Sequence, residues 1–334
     1  MNFKIHLSEL LFLSFVLLLA GCIGEAPRDN PLDPLSTMYS GNIALKGRVL
    51  LANQTAGVSG ANVSSLEDGV GVLTDSSGYF SFLRLSLGAQ TIVCAKNSCV
   101  ADTQRIVLRA DEPQQLSFAL NGLPGIPFTR ILTRKIDQYF PSPQYFVDIA
   151  ATVTDPNGVS DLDTSVWFSV DTLLYPMTYS ITTKNFEVTL YKYDFPTNTI
   201  DWLVGKSLKI IATDIHGASG LSAPFAVTRI IENEAIPTYP SSLNNDTTRA
   251  DSLVFRWNPP DVTFNYSYSI VLSRVDAGTR TVVWTLTGLS SFFQEVSYPT
   301  SAPALLSGNY VWTIAVVDDF GNYARSKESS FVIK

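Results

Sequence analysis

Histidine and cysteine are scarce, with two and three among 334 residues. That scarcity excludes most chemistry built on imidazole or thiolate, since a structural zinc site alone takes about four such ligands. Charge is thin as well: 16% of the residues carry one, against roughly 25% in an ordinary soluble domain. Apolar residues make up 46%, enough to build real cores, so a disordered or coiled-coil chain is excluded. A formal net charge of -7 argues against a general nucleic-acid binder, which needs a basic face. No Gly-rich phosphate loop or metalloprotease helix is present. The expectation is a chain without catalytic residues.

The apolar run Leu10–Ala20 is 11 residues long, well short of the ~20 that span a bilayer. With Lys4 upstream, it reads as a secretory h-region. It ends in Leu19-Ala20-Gly21-Cys22, which resembles a bacterial lipobox. That resemblance implies cleavage before Cys22, diacylglycerol on its thiol and acylation of its amine with a chain such as palmitate. Residues 1–21 are then a signal peptide, and the membrane is a partner through the N-terminal lipid. Ile23 rather than aspartate follows the cysteine, which by resemblance to lipoprotein sorting implies the outer membrane, facing the periplasm or the exterior. Residues 22–42 hold Pro27, Pro31 and Pro34 and form a tether of extended backbone.

Beyond the tether the pattern is short alternating runs broken by Gly, Asn, Asp and Pro, with no amphipathic helix. The expected fold is all-β: three tandem β-sandwich domains at 43–122, 123–232 and 233–334. In the first, Phe80 and Phe82 share a face by the two-residue period. Gly47-x-Val49, Val58-Ser59-Gly60-Ala61-Asn62-Val63, Thr74-Asp75-Ser76-Ser77-Gly78-Tyr79-Phe80 and Leu87-Gly88 match the carboxypeptidase regulatory-like domain. The resemblance implies a transthyretin-like sandwich with no catalytic residues of its own. In the Thr-Asp-x-x-Gly-x-Phe string, Asp75 caps a turn and Gly78 supplies positive φ.

Cys94 and Cys99 enclose four residues, Ala95-Lys96-Asn97-Ser98. That spacing suits a hairpin loop, which would face the cysteines across its mouth at about 5 Å, within disulfide reach. The expectation is one thiol for lipid and two in a bridge, in an oxidising compartment.

The later domains form a repeat. Ile210, Asp214 and Gly217 recur as Ile314, Asp318 and Gly321, 104 residues on, and Pro156 recurs as Pro260. A period near 100 residues is the size of one immunoglobulin-type sandwich. Leu253-x-Phe255-x-Trp257-Asn258-Pro259, Tyr266-x-Tyr268-x-Ile270-x-Leu272 and Gly308-x-Tyr310-x-Trp312-x-Ile314 resemble a fibronectin type III domain, which implies a core role for Trp257 and a tyrosine corner at Tyr310. The middle domain is similar to bacterial Ig-like domains.

Two places offer chemistry. Asp155-Pro156-Asn157-Gly158-Val159-Ser160-Asp161-Leu162-Asp163 carries oxygen side chains at Asp155, Asn157, Asp161 and Asp163, which suits calcium with its six to eight oxygen ligands. The same string also reads as a plain turn, and no other cofactor is expected. Tyr191, Tyr193 and Trp202 flank the loop 194–198, where rings either stack on sugars or fill the core by alternation. His216 falls in a turn equivalent to Phe320, so an exposed loop histidine is expected rather than a member of a Ser-His-Asp site.

The functional expectation is a non-catalytic envelope lipoprotein that presents its sandwiches to an unidentified protein or polysaccharide ligand. The alternatives are a scaffold subunit of a periplasmic or outer-membrane assembly and an accessory part of an exported hydrolase system.

Overall fold

The computed structural model describes residues 42–110, 114–140, 142–241 and 246–334. The expected signal peptide, Cys22 and residues 22–41 of the tether lie outside the described residues. The architecture is all-β, in two compact units that divide after Gly122.

The first unit is built from β1 (Asn42–Leu51), β2 (Asn62–Ser65), β3 (Val70–Leu73), β4 (Tyr79–Ser86), β5 (Gly88–Ala95), β6 (Asp102–Leu108) and β7 (Gln115–Leu120). One sheet has the order β4-β1-β7, with β7 parallel to β1, and the other has the order β3-β2-β5-β6. Alternation makes the core: in β4, Phe80, Phe82 and Leu85 are buried while Tyr79, Ser81 and Leu83 are exposed. Phe80 meets Phe82 edge-on at 6.1 Å and Phe118 at 6.3 Å. Each such ring contributes roughly 1.5–3 kcal/mol by leaving water. The Asp75 carboxylate accepts the N–H groups of Ser77 and Tyr79, both at 2.8 Å. Gly78 has φ +83, and a Cβ there would stand 2.4 Å from the Val49 carbonyl. Only glycine fits that turn.

The second unit continues with β8 (Gly125–Ile136), β9 (Gln144–Thr154), β10 (Leu162–Val170), β11 (Leu173–Ser180), β12 (Asn185–Tyr191), β13 (Leu208–Asp214) and β14 (Ser219–Leu221) around a first core. β11 turns a corner: Leu173–Met177 pair with β10, and Thr178–Ser180 pair with β12. The remaining strands are β15 (Ile236–Tyr239), β16 (Thr247–Thr248), β17 (Val254–Asn258), β18 (Tyr266–Asp276), β19 (Thr279–Ser290), β20 (Glu295–Ser297), β21 (Gly308–Asp318), β22 (Tyr323–Arg325) and β23 (Ser329–Ile333). They enclose a second core centred on Phe255, Trp257, Tyr268 and Trp312. The Tyr310 hydroxyl donates to the Leu306 carbonyl at 2.8 Å, the back-bond of a tyrosine corner.

The two cores of this unit are bridged by one ladder. β22 pairs in parallel with β8, Tyr323 opposite Arg134, so a single 13-stranded sheet runs through both. Side chains reinforce the joint. The Thr133 N–H donates to Asn322 Oδ1 at 2.9 Å, the Thr133 hydroxyl donates to the Arg229 carbonyl at 2.6 Å, and Asn322 Nδ2 donates to Thr228 at 2.8 Å.

Candidate acidic site and aromatic patch

The acidic loop closes between β9 and β10 and is fastened to the turn after β13. The Gly158 N–H donates to the Asp155 carbonyl, that of Asp161 to the Gly158 carbonyl, and that of Ile215 to the Asp161 carbonyl. β10 runs antiparallel to β13 with Leu162 opposite Asp214. The start of one strand therefore faces the end of the other, and carboxylate oxygens of Asp155, Asp161 and Asp214 lie within 4.8 Å of one another.

Their surroundings differ. Asp214 Oδ1 accepts the N–H groups of His216 and Ala218, both at 2.8 Å, and Asp155 Oδ1 accepts that of Asn157 at 2.7 Å. Asp161 is 2% exposed, and neither of its carboxylate oxygens accepts a hydrogen bond. His216 Nε2 approaches Asp161 Oδ1 at 3.3 Å without hydrogen-bond geometry, from a half-exposed ring. Burial raises the Asp155 carboxyl above the ordinary aspartate range; the Asn157 N–H opposes the rise, and the Asp161 and Asp214 charges add to it. Two like charges 4 Å apart repel by roughly 4 kcal/mol at a near-surface dielectric.

Of the four oxygen residues expected from the loop, Asp155 and Asp161 converge. Asn157 is buried and contributes its N–H to the turn. Asp163 departs from the expectation: it sits on β10 and accepts from the Ser165 hydroxyl at 2.8 Å. Its place is taken by Asp214, which the sequence marked only as a repeat position.

The aromatic patch divides. Trp202 stacks on the buried Phe195 at 5.9 Å, with Lys206 Nζ 4.3 Å above its ring. It packs against the core. Tyr191 and Tyr193 are exposed. With Tyr145 and Lys192 they line a cavity of about 140 Å³, and Lys192 Nζ lies 5.0 Å from the Tyr193 ring. That is room for one small polar group against rings.

The expected disulfide is absent. Cys94 and Cys99 are both free thiols. The reason is register: β5 runs to Ala95 and the chain re-enters the sheet at Asp102, so Asp102, not Cys99, stands across from Cys94. Cys99 instead bridges to Gly122. Burial pushes the Cys94 thiol up to about 11, with the Asp102 and Cys99 charges adding to it, and burial also raises Cys99.

No family model matches the chain, and no curated protein matches it. Among solved structures, the chain is similar to BcpA, the major pilin subunit of Bacillus cereus, at 13% identity and TM-score 0.31, over 88% of this chain and 95% of that one. It is also similar to the fibronectin(III)-like modules of Clostridium thermocellum CbhA at 17% identity and TM-score 0.30, over 63% and 93%. A DUF3823 family protein from Bacteroides ovatus ATCC 8483 aligns at 11% identity and TM-score 0.25, over 55% and 97%. Superpositions this loose supply nothing about the function of this chain.

Proposed function

We propose that the chain is a non-catalytic cell-envelope lipoprotein, anchored through Cys22 in the outer membrane, that works by presenting β-sandwich loops to a protein or polysaccharide ligand. The observation that carries this reading is where the second unit leaves large rings in water. Phe140 is 92% exposed and Phe292 93% exposed, and Tyr193 and Phe320 are also exposed; the three phenylalanines lie in loops between strands, and Tyr193 lies in the short 3-10 turn that follows β12. Exposed aromatics on loops fixed by a rigid scaffold are the usual currency of recognition.

A second reading, a structural spacer within an envelope assembly, is favoured by the β8–β22 ladder, which stiffens the second unit as a spacer requires. On either reading the first unit serves as a transthyretin-like support. The test is protease shaving of intact cells, alongside labelling with a palmitate analogue. Incorporation of label that Cys22→Ala abolishes, with cleavage at the Phe320 loop, supports a surface-facing binder. Protection until the outer membrane is ruptured, with crosslinks to neighbours, favours the spacer. Absence of label in the parent chain, or hydrolysis of peptide or glycan by the pure protein, overturns the proposal.

A further inference from the structure

The repeat supplies its own control for the acidic corner. In the later sandwich Asp318 occupies the turn that Asp214 occupies in the earlier one, and its side chain is fully buried. Its charge is answered: Arg229 donates to Asp318 Oδ2 at 3.0 Å and Asn322 Nδ2 donates to the same oxygen at 3.1 Å. In the earlier sandwich, the same turn faces two further carboxylates where the later one has a guanidinium. A buried carboxylate that accepts no hydrogen bond is rare unless something positive completes it. Asp161 is such a group: both oxygens are unaccepted, the whole residue is 2% exposed, and its basic neighbour is the half-exposed His216, whose Nε2 stands 3.3 Å from Oδ1 without hydrogen-bond geometry.

We propose that Asp155, Asp161 and Asp214 bind one calcium ion. The converging atoms are all carboxylate oxygens, the donor chemistry of a hard cation rather than of zinc or copper. Their mutual spacing, within 4.8 Å, is what a single ion with ligands at about 2.3–2.6 Å bridges. The ion answers the unaccepted Asp161 carboxylate as Arg229 answers Asp318. It also ties the 155–161 loop to the 214–218 turn at one end of the sandwich, so the consequence is local rigidity. The proposal is independent of the lipid anchor and of any ligand on the aromatic loops.

The test uses the full mature chain, stripped with EGTA and titrated with calcium chloride, followed by thermal unfolding and equilibrium dialysis. One ion per chain is expected. At 10 mM calcium, with an affinity in the range of extracellular modules, the melting temperature of the second unit rises by roughly 3–10 °C. Magnesium at the same concentration moves it far less. Asp161→Asn is expected to abolish the calcium shift, yet in EGTA to melt no lower than the parent, because it removes a buried charge. Asp155→Asn, at a partly exposed position, is a second variant and should weaken calcium binding at least tenfold. The proposal is overturned if no calcium is retained at 10 mM, if the shift survives in Asp161→Asn, or if zinc alone shifts the transition and His216→Ala removes the effect.

Discussion

Asp214 and Asp318 hold the same turn in successive sandwiches, 104 residues apart. Each Oδ1 accepts two backbone N–H groups, those of His216 and Ala218 at 2.8 Å in one, those of Phe320 and Asn322 at 3.0 and 2.9 Å in the other. Gly217 and Gly321 each donate to the aspartate carbonyl, at 3.1 and 3.0 Å. The turns are copies and the charge environments are not. Arg229 reaches only Asp318, and it does so from the segment that leads out of the earlier sandwich.

That asymmetry makes Arg229 a test of the joint. Arg229→Met leaves a fully buried carboxylate with Asn322 and backbone N–H groups but no cation. The expected cost is about 1.5–3 kcal/mol, the range for a hydrogen bond to a charged group, since the guanidinium is partly in water. Adding Asp318→Asn to the same chain should recover much of the loss, because the orphaned charge goes with it. Urea unfolding of the two variants and the parent decides it: equal losses in single and double variants would mean that Arg229 acts by packing on Phe264, whose ring lies 4.0 Å beneath it.

Much of this was open to reading in the residues. Phe80 and Phe82 announce an inward face because a strand alternates, and Asp75 with Gly78 announces a turn because one caps it and the other takes positive φ. The repeat located Asp214. Its partnership with Asp155 and Asp161 was not legible, because it depends on β10 running antiparallel to β13, and strand pairing across more than 50 residues leaves no local mark. The usable signal was the repeat itself: an aspartate ending one strand lies close to whatever begins the strand paired with it. Cys94 and Cys99 misled for a related reason. Their spacing suits a hairpin, yet the register is set by where β5 and β6 bury their apolar residues, and this moves Cys99 into the loop. The parallel β8–β22 ladder joining two sandwiches was equally hidden.

The aromatic patch separates by substitution. Trp202→Ala removes a ring stacked on Phe195 and covered by Lys206. It is expected to cost about 2–3 kcal/mol, somewhat under the value for a fully buried tryptophan. Tyr193→Ala, at an exposed position, should stay within about 0.5 kcal/mol of the parent. Glycan-array binding, measured on the same proteins, should respond to Tyr193→Ala if the exposed rings beside Lys192 stack on a sugar. A binding loss confined to Trp202→Ala and matched by lost stability would assign the whole effect to the core.

The free thiols give a pH-dependent signature. Cys94 titrates at about 11 in the folded chain, against an ordinary 9.0, because burial disfavours the thiolate. A folded-state value above the unfolded one means that the protonated thiol contributes its stability in full below pH 9. That contribution disappears as the pH climbs from there to about 11 and amounts to at most about 2–3 kcal/mol. Cys94→Ala should therefore flatten the alkaline limb of the stability curve between those two values, although the lost side chain lowers its plateau. Thiol counting with an aromatic disulfide reagent at pH 8 checks the same residues in a chain carrying Cys22→Ser. Cys94 should stay silent in the native state, Cys99 should react slowly, and both should react at once in guanidinium without reductant. If guanidinium releases no thiol until a reductant is added, the two sulfurs are joined after all, and the loop between β5 and β6 must rearrange to allow it.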